Sequence, residues 1–191
     1  MQFSRFRVAV VAVALSVPLL AACAPASGEP VSAATTGDAS AAYGDADIRF
    51  AQEMIPHHRQ TIQIAELVAE RTTNEYVWKL SEDLIHDERA DITLMTTWLR
   101  SWKKQVPAEN AASTHSMPGM LSAQQISTLG RQSGAEFDRS WLTTLSRHLG
   151  HGVEMAQTVQ SRGKHAPTAD LAGRLITEQR AKIAEIAAHL T

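Results

Sequence analysis

The chain contains 191 residues, of which 44% are hydrophobic and 20% are charged, and its formal net charge is −2. This balance is typical of one folded domain with appendages and excludes a disordered chain. The low net charge and the lack of a basic block in the sequence argue against a nucleic-acid partner, and the single cysteine excludes an internal disulfide and a cysteine-rich metal cluster.

The chain begins with the pattern of an export signal. Arg5 and Arg7 precede an uncharged apolar run over residues 8–20. This run is too short to span a bilayer as a helix and has the length of a signal-peptide core. It ends in Leu-Ala-Ala-Cys at residues 20–23, so residues 1–22 are predicted to be a lipoprotein signal peptide and Cys23 the lipidated residue. An ordinary signal peptide that contains a cysteine is the alternative.

Residues 23–44 are rich in Ala, Ser, Thr, Gly and Pro and have little to bury. This composition predicts a flexible tether. A lipid on Cys23 anchors a protein to the membrane without spanning it. The predicted location is therefore the extracytoplasmic face of the cell membrane, which the protein contacts through its N-terminal lipid.

The remaining sequence, residues 45–191, has the periodicity of amphipathic helices. Apolar residues recur at helical spacing over residues 48–65 and 77–102, and neither stretch alternates as a strand does. Residues 72–74 predict the turn between these helices, with Asn74 capping the second, and Pro56 predicts a kink in the first. In a second pair, Gly163 is predicted to end one helix and Pro167 to start the next.

The two helix pairs are copies of one unit. Residues 46–99 and 137–190 align without gaps at an offset of 91 residues, with 12 identities in 54 positions. The predicted fold is therefore all-α, a four-helix bundle of two helical hairpins over about residues 45–103 and 134–191. The crossover, about residues 104–133, is predicted to carry a short helix from Ser122, which forms a capping box with Gln125.

The first candidate site is the sequence Met54-Ile-Pro-His57-His58. On a helix these three side chains share one face, because three- and four-residue steps bring side chains together. Thioether sulfur suits Cu(I), and imidazole suits copper and zinc. The alternative is a core methionine beside two hydrogen-bonded histidines.

Polar residues on the second helix of each hairpin predict a polar layer across the centre of the bundle. Glu88 lies as far after the predicted turn as the histidine pair lies before it, and Asp91 follows within one turn of the helix. Because a buried carboxylate needs a partner, both are predicted to orient metal-binding imidazoles, to bind the metal, or to form a network that only sets helix register. The same count places His148 level with Gln179.

Further soft ligands lie in the crossover and the second hairpin. The crossover contains His115, Met117 and Met120, with a Pro-Gly turn between the two methionines. This arrangement predicts either a metal-binding loop or a plug that packs on the bundle. In the second hairpin, His148, His151 and Met155 follow at helical steps. Met155 is assigned to the core, and His151 to the site or to the surface. His86, His165 and His189 are predicted to be exposed.

These motifs resemble those of a bacterial secreted family, domain of unknown function 305. The resemblance covers residues 45–191 and rests on Met54-Ile-Pro-His57-His58, Met95-x-x-Trp98-Leu99, Met117-Pro-Gly-Met120 and Phe137-Asp138. It implies an exported, ferritin-like four-helix bundle. It also implies a link to copper, because some members are periplasmic copper-binding proteins. The family often repeats Met-x-x-His-His in the second unit, and this chain departs from that pattern with Leu145 and Leu149.

The sequence thus predicts a membrane-anchored, extracytoplasmic metal-binding protein that acts as a copper buffer or chaperone and is not an enzyme. Zinc is the alternative metal, because two histidines with Glu88 or Asp91 suit it. A di-iron enzyme is excluded, because that site needs Glu-x-x-His motifs and the chain has none. The predicted ligands are Met54, His57, His58, His115, Met117, Met120, His148 and His151, with Glu88, Asp91 and Gln179 around them.

The alternative function is a metal-free scaffold or adaptor of the cell envelope. In that hypothesis the polar layer sets the helix register, and tryptophans contact a protein partner that the sequence does not identify. The four candidates for that contact are Trp78, Trp98, Trp102 and Trp141.

Overall fold

A computed structural model describes residues 42–109, 117 and 119–191; the predicted signal peptide, Cys23, nearly all of the predicted tether and His115 lie outside these residues. The described residues contain no strand, which confirms the all-α prediction. The described residues form five helices: α1 Asp45–Glu66, α2 Glu75–Ser101, α3 Ala123–Leu129, α4 Gly134–Arg162 and α5 Ala166–His189.

The long helices form the predicted four-helix bundle. α1 packs against α2 and α4 against α5, and the two hairpins meet where α1 packs against α4, while the short α3 lies on α4. Among the described helices, none combines the length and the apolarity needed to cross a bilayer. α5 begins 91 residues after α2, which is the offset of the sequence repeat.

Local signals set several helix ends. The side chain of Asn74 accepts hydrogen bonds from the backbone N–H groups of Tyr76 and Val77 and so caps α2. Ser122 and Gln125 form the capping box of α3, and Gly163 is the C-cap of α4. These three predictions are confirmed. Pro56 lies inside α1, and the helix continues through it.

A buried polar layer divides the core into two apolar clusters. One cluster surrounds Phe50 and Trp98, and the other surrounds Ile64 and Trp141. Between them, each of the four long helices contributes buried polar side chains, as predicted: His57, His58, Thr61, Glu88, Asp91, His148 and Gln179.

Asp47 joins the start of α1 to the turn between α4 and α5. Its buried carboxylate accepts hydrogen bonds from the backbone N–H groups of Gly44 at 2.8 Å, Lys164 at 2.9 Å and His165 at 3.3 Å. The prediction that His165 is exposed is wrong, because Asp47 holds this turn against the start of α1 and His165 is buried there. The ring of His165 packs edge-on against Trp98 and Trp102.

Replacing Asp47 with alanine is expected to lower the free energy of unfolding by about 2–3 kcal/mol, because three backbone N–H groups lose a charged acceptor. The matched control is Asp45→Ala, since Asp45 is exposed in the same helical turn and should change stability by less than about 0.5 kcal/mol. Urea unfolding measures both variants. Equal losses in the two would contradict the role given to Asp47.

Candidate metal centre

His57 and His148, which are equivalent positions of the sequence repeat, meet face to face between α1 and α4. Their rings stack with centroids 3.9 Å apart and an interplanar angle of 5°. His57 Nε2 lies 3.2 Å from the carbonyl oxygen of His148, and His148 Nε2 lies 3.3 Å from the carbonyl oxygen of His57. A carbonyl only accepts, so the direct way to satisfy these contacts is for each Nε2–H to donate across the helix interface.

Both stacked histidines are neutral at pH 7. Burial lowers the pKa of His57 well below its ordinary value, and the neighbouring His148 and His58 lower it further. Burial also lowers the pKa of His148, although the carbonyls of Gly119 and His57 raise it. A neutral imidazole that donates through Nε2 carries a lone pair on Nδ1. Nδ1 of His57 is buried and has no hydrogen-bond partner in the described part of the chain.

Gln179 lies beside His57 with both of its amide atoms buried and without hydrogen-bond partners among the described residues. The two side chains pack against Gly152 of α4. A Cβ atom at Gly152 would lie 2.6 Å from Gln179 Oε1 and 3.1 Å from His57 Cε1, so a side chain at this position requires Gln179 to shift. Three polar atoms therefore face a tight interior space without bonding one another.

His58 faces the opposite side of the layer and is charged. Glu88 Oε2 lies 2.7 Å from its Nδ1, off the direction of an aligned hydrogen bond, and Asp91 Oδ2 lies 3.6 Å from its Nε2. Burial by itself lowers the pKa of His58, but these carboxylates raise it to about 9. Arg174 of α5 pairs with Asp91 from the outside, which completes a charged network across α1, α2 and α5.

The crossover loop lies directly on the second-repeat histidines. The carbonyl oxygen of Gly119 is 3.1 Å from His148 Nδ1. Gly119 has a positive φ of 85°, and a methyl group there would overlap the ring of His151. Gln60 of α1 holds the loop from the other side, because its amide donates to the carbonyl of Leu121 at 2.9 Å and accepts from the N–H of Leu121 at 2.7 Å.

A cleft of about 540 Å³ opens beside this loop, between α3 and α4. Its walls include Met120, His148 and His151, together with Arg147 and several amide and hydroxyl side chains. His151 is half-buried, and its Nδ1 lies 3.2 Å from Glu154. Met117 is also half-buried, one turn before Met120. Met120 and His151 are therefore half-buried in the wall of this cleft, and the buried His148 lies behind the carbonyl of Gly119.

The expected convergence of Met54, His57 and His58 is not seen. Met54 is fully buried in the apolar cluster around Phe50, His57 faces α4, and His58 faces α2. The rings of His57 and His58 are tilted, with centroids 6.3 Å apart. The described residues contain no group of three His, Cys, Asp or Glu side chains arranged to hold a metal ion.

Several functional neighbours escape the sequence pattern. Nothing in the sequence around Gly152 and Gln60 indicates their contacts with Gln179 and Leu121. Arg174 has no sequence signal that pairs it with Asp91, 83 residues earlier. His86 and His189 are exposed, as predicted, and His189 stacks on Tyr76.

The free energy of unfolding is expected to be highest near the ordinary histidine pKa, which is about 6.5. Below it, the unfolded chain binds protons at His57 and His148 that the folded chain excludes, so stability falls as the pH drops. Above it, folded His58 keeps its proton up to about pH 9 while the unfolded chain releases it, so stability falls as the pH rises. Urea unfolding across this range, with a chelator present, measures both limbs.

The Glu88→Gln variant is the control for the alkaline limb. It removes one of the two carboxylates that raise the pKa of His58, so the decline above pH 6.5, about the ordinary histidine value, should become shallower. An unchanged decline in this variant would rule out His58 as its source.

Gly152→Ala is expected to cost a net of about 1–2 kcal/mol of stability, because displacing Gln179 or His57 from a close-packed interior outweighs the gain in helix propensity. Gly150→Ala is the matched control, two residues away in the same helix. A Cβ there meets nothing within 4 Å, so helix propensity should stabilise this variant by up to about 1 kcal/mol. Thermal unfolding compares the two, and a stabilised Gly152→Ala protein would contradict this packing.

The sequence and fold are similar to those of proteins of one family. The model of the family "Domain of unknown function (DUF305)" matches residues 47–190. A DUF305 protein from Streptomyces coelicolor, described as secreted, is 27% identical with a TM-score of 0.69, and the match covers 76% of this chain and 90% of that one. A DUF305 fragment from Deinococcus radiodurans is 22% identical with a TM-score of 0.69, and the match covers 77% and 96%.

The fold is also that of CopM. In its Cu(II)-bound form CopM is 24% identical with a TM-score of 0.67, and the match covers 75% of this chain and 95% of that one. In its Cu(I)-bound form the TM-score is 0.62. No curated protein matches the chain significantly. Because the family model spans nearly all of the described bundle, the chain belongs to the family of domain of unknown function 305 (DUF305).

Proposed function

We propose that this chain is a copper-binding protein of the extracytoplasmic space, held at the membrane by a lipid on Cys23, and that it buffers copper or passes it on without catalysing a reaction. The observation that carries the proposal is the contact of the crossover loop with His148 and His151. It places Met120 in one cleft with two imidazoles. The copper-bound forms of CopM, which has the same fold, support copper as the metal.

The chemistry of these side chains fits Cu(I). A thioether is a soft ligand, and an imidazole binds a metal only when it is neutral. Burial lowers the pKa of His148, so no proton has to leave before this ring binds. Its ring has carbonyl oxygens near both nitrogens, and a neutral ring donates to only one of them. The remaining lone pair faces a carbonyl oxygen, which is a repulsive arrangement, and a metal ion bound at this nitrogen would displace that oxygen.

The cleft is a better copper site than the motif on α1. Met54 lies in the apolar core, and His58 holds a proton that a metal ion must displace, because the pKa of His58 is raised to about 9. A zinc site of His58 with Glu88 or Asp91 carries the same penalty. His57, with its unpartnered Nδ1 and lowered pKa, is the residue of this motif that remains suited to a metal.

The loop gives the site a means of adapting to the metal. Met117 and Met120 flank one turn, and Gly119 in that turn contacts both second-repeat histidines. Copper bound by Met120 and His151 would tie the loop to α4. His115 and Met117, which were predicted as ligands with Met120, are candidates to complete this set. The protein supplies ligands and a cleft open to solvent, which suits metal that is bound and released as cargo.

The test is a Cu(I) titration of residues 24–191 under reducing, anaerobic conditions against a chromogenic chelator, with Cu(II) and Zn(II) in parallel. Replacing Met120 with leucine should weaken Cu(I) binding by about 10- to 100-fold, because the site loses a soft ligand. Met54→Leu is the matched control, since it removes a thioether of the same kind from the apolar core. Its Cu(I) affinity should stay within about twofold of the unchanged chain.

Loss of binding in Met54→Leu but not in Met120→Leu would contradict the cleft and return the site to α1. Cu(I) binding that is weak and equal in all variants would contradict the proposed function. It would favour a metal-free scaffold, the alternative that the charged network of His58, Glu88, Asp91 and Arg174 supports. The tryptophans do not support that alternative, because only Trp78, 41% exposed, is available to a partner; Trp98, Trp102 and Trp141 are buried.

A further inference from the structure

All four long helices bring a terminus to the end of the bundle where the described chain begins. We call this the tether end: the first five residues of α1 and α5, the last five of α2 and α4, and the turns 42–44, 102–104 and 163–165. The contacts of Asp47 with Lys164 and His165, and the stacking of Tyr43 on Trp102 at 4.7 Å, hold these segments together.

The tether end is cationic. Six basic side chains are exposed there: Arg49, Arg100, Lys103, Lys104, Arg162 and Lys164. None of them pairs with a carboxylate in the described part of the chain, whereas Lys79, Arg89, Arg174 and Lys182 elsewhere on the bundle do. Three carboxylates lie in the same segments, Asp45, Asp47 and Asp170, and they leave a surplus of three positive charges.

The opposite end, defined in the same way with turns 67–74 and 130–133, has the reverse balance. It contains six carboxylates, Glu66, Glu70, Glu75, Glu136, Asp138 and Glu185, and three basic residues, Arg71, Lys79 and Arg131. The surplus there is three negative charges. A chain with a net charge of only −2 therefore has a bundle with one basic and one acidic pole.

We propose that the tether end docks on an anionic phospholipid surface. The inference rests on the proposed lipid anchor at Cys23, which lies 19 residues before Ala42 in the sequence. A chain of that length spans at most about 65 Å, so an anchor attached at this end holds the bundle within that distance of the bilayer. Unpaired Lys and Arg side chains beside an anchor are attracted by anionic headgroups, and a lipid together with a basic patch forms a stable attachment.

Docking in this direction orients the candidate metal cleft. The cleft walls run from His151 towards Ser140 and Gln132, which lie near the start of α4 at the acidic pole. The cleft therefore opens on the half of the bundle that faces away from the membrane. The acidic pole is repelled by anionic headgroups and favours the same orientation.

The experiment measures binding of residues 24–191, which carry no lipid, to vesicles of phosphatidylglycerol mixed with phosphatidylcholine and to vesicles of phosphatidylcholine alone. Sedimentation at low and high salt gives the bound fraction. The double variant Lys103→Gln/Lys104→Gln removes two charges from the tether end. The matched control, Lys79→Gln/Arg131→Gln, removes two charges from the acidic pole.

Docking predicts binding to the anionic vesicles alone, lost at high salt, and about 10- to 30-fold weaker in the tether-end variant while the control variant is unchanged. Absence of binding to anionic vesicles at low salt, binding that salt does not weaken, or equal losses in the two variants would overturn the proposal. Neither copper nor lipidation enters the measurement. Its failure is therefore distinguishable from failure of the proposed function, which copper titration and mass analysis of Cys23 test separately.

Discussion

The close approach of α1 and α4 at His57 and His148 sets the geometry of the whole bundle. Each ring needs the backbone carbonyl of the other helix, so the two helices are held at one separation and in one register. Gly152 permits this approach because it has no side chain. The apolar clusters on either side of the layer, and the crossover loop that rests on His148, then take their positions from this contact.

The polar layer contains two kinds of histidine, and the ring centroids of His57 and His58, one of each kind, are 6.3 Å apart. His58 is surrounded by carboxylates and holds a proton, whereas His57, its neighbour in sequence, faces a carbonyl and an uncharged amide and holds none. Burial disfavours charge at both positions, and only the carboxylates of Glu88 and Asp91 overcome it at one. A metal ion must therefore displace a proton to bind His58, on one side of α1, but not to bind His57, on the other. In this way the fold, rather than the ligand type alone, decides which imidazoles are available.

Much of this architecture can be predicted from the sequence, because it depends on local rules and on the repeat. Apolar spacing, the Asn74 cap and the offset of 91 residues are enough for a four-helix bundle with a central polar layer. The sequence places Met54, His57 and His58 on one helix face, but α1 packs against both α2 and α4, so His58 points to α2 and His57 to α4. The burial of His165 could not be predicted either, since it depends on how Asp47 draws a distant turn beneath the bundle.

Gln60 and His151 occupy the same position in the two repeats, and both lie against the crossover loop. One clamps the backbone of the loop through a paired amide contact, and the other offers a ring to the cleft beside it. A symmetric dimer of identical hairpins would have to place the same residue at both positions and lose one of these uses. When both copies lie in a single chain, the residues at these two positions can differ. The single crossover loop then contacts both of them. Two copies of the hairpin in one chain thus allow equivalent positions to take different roles.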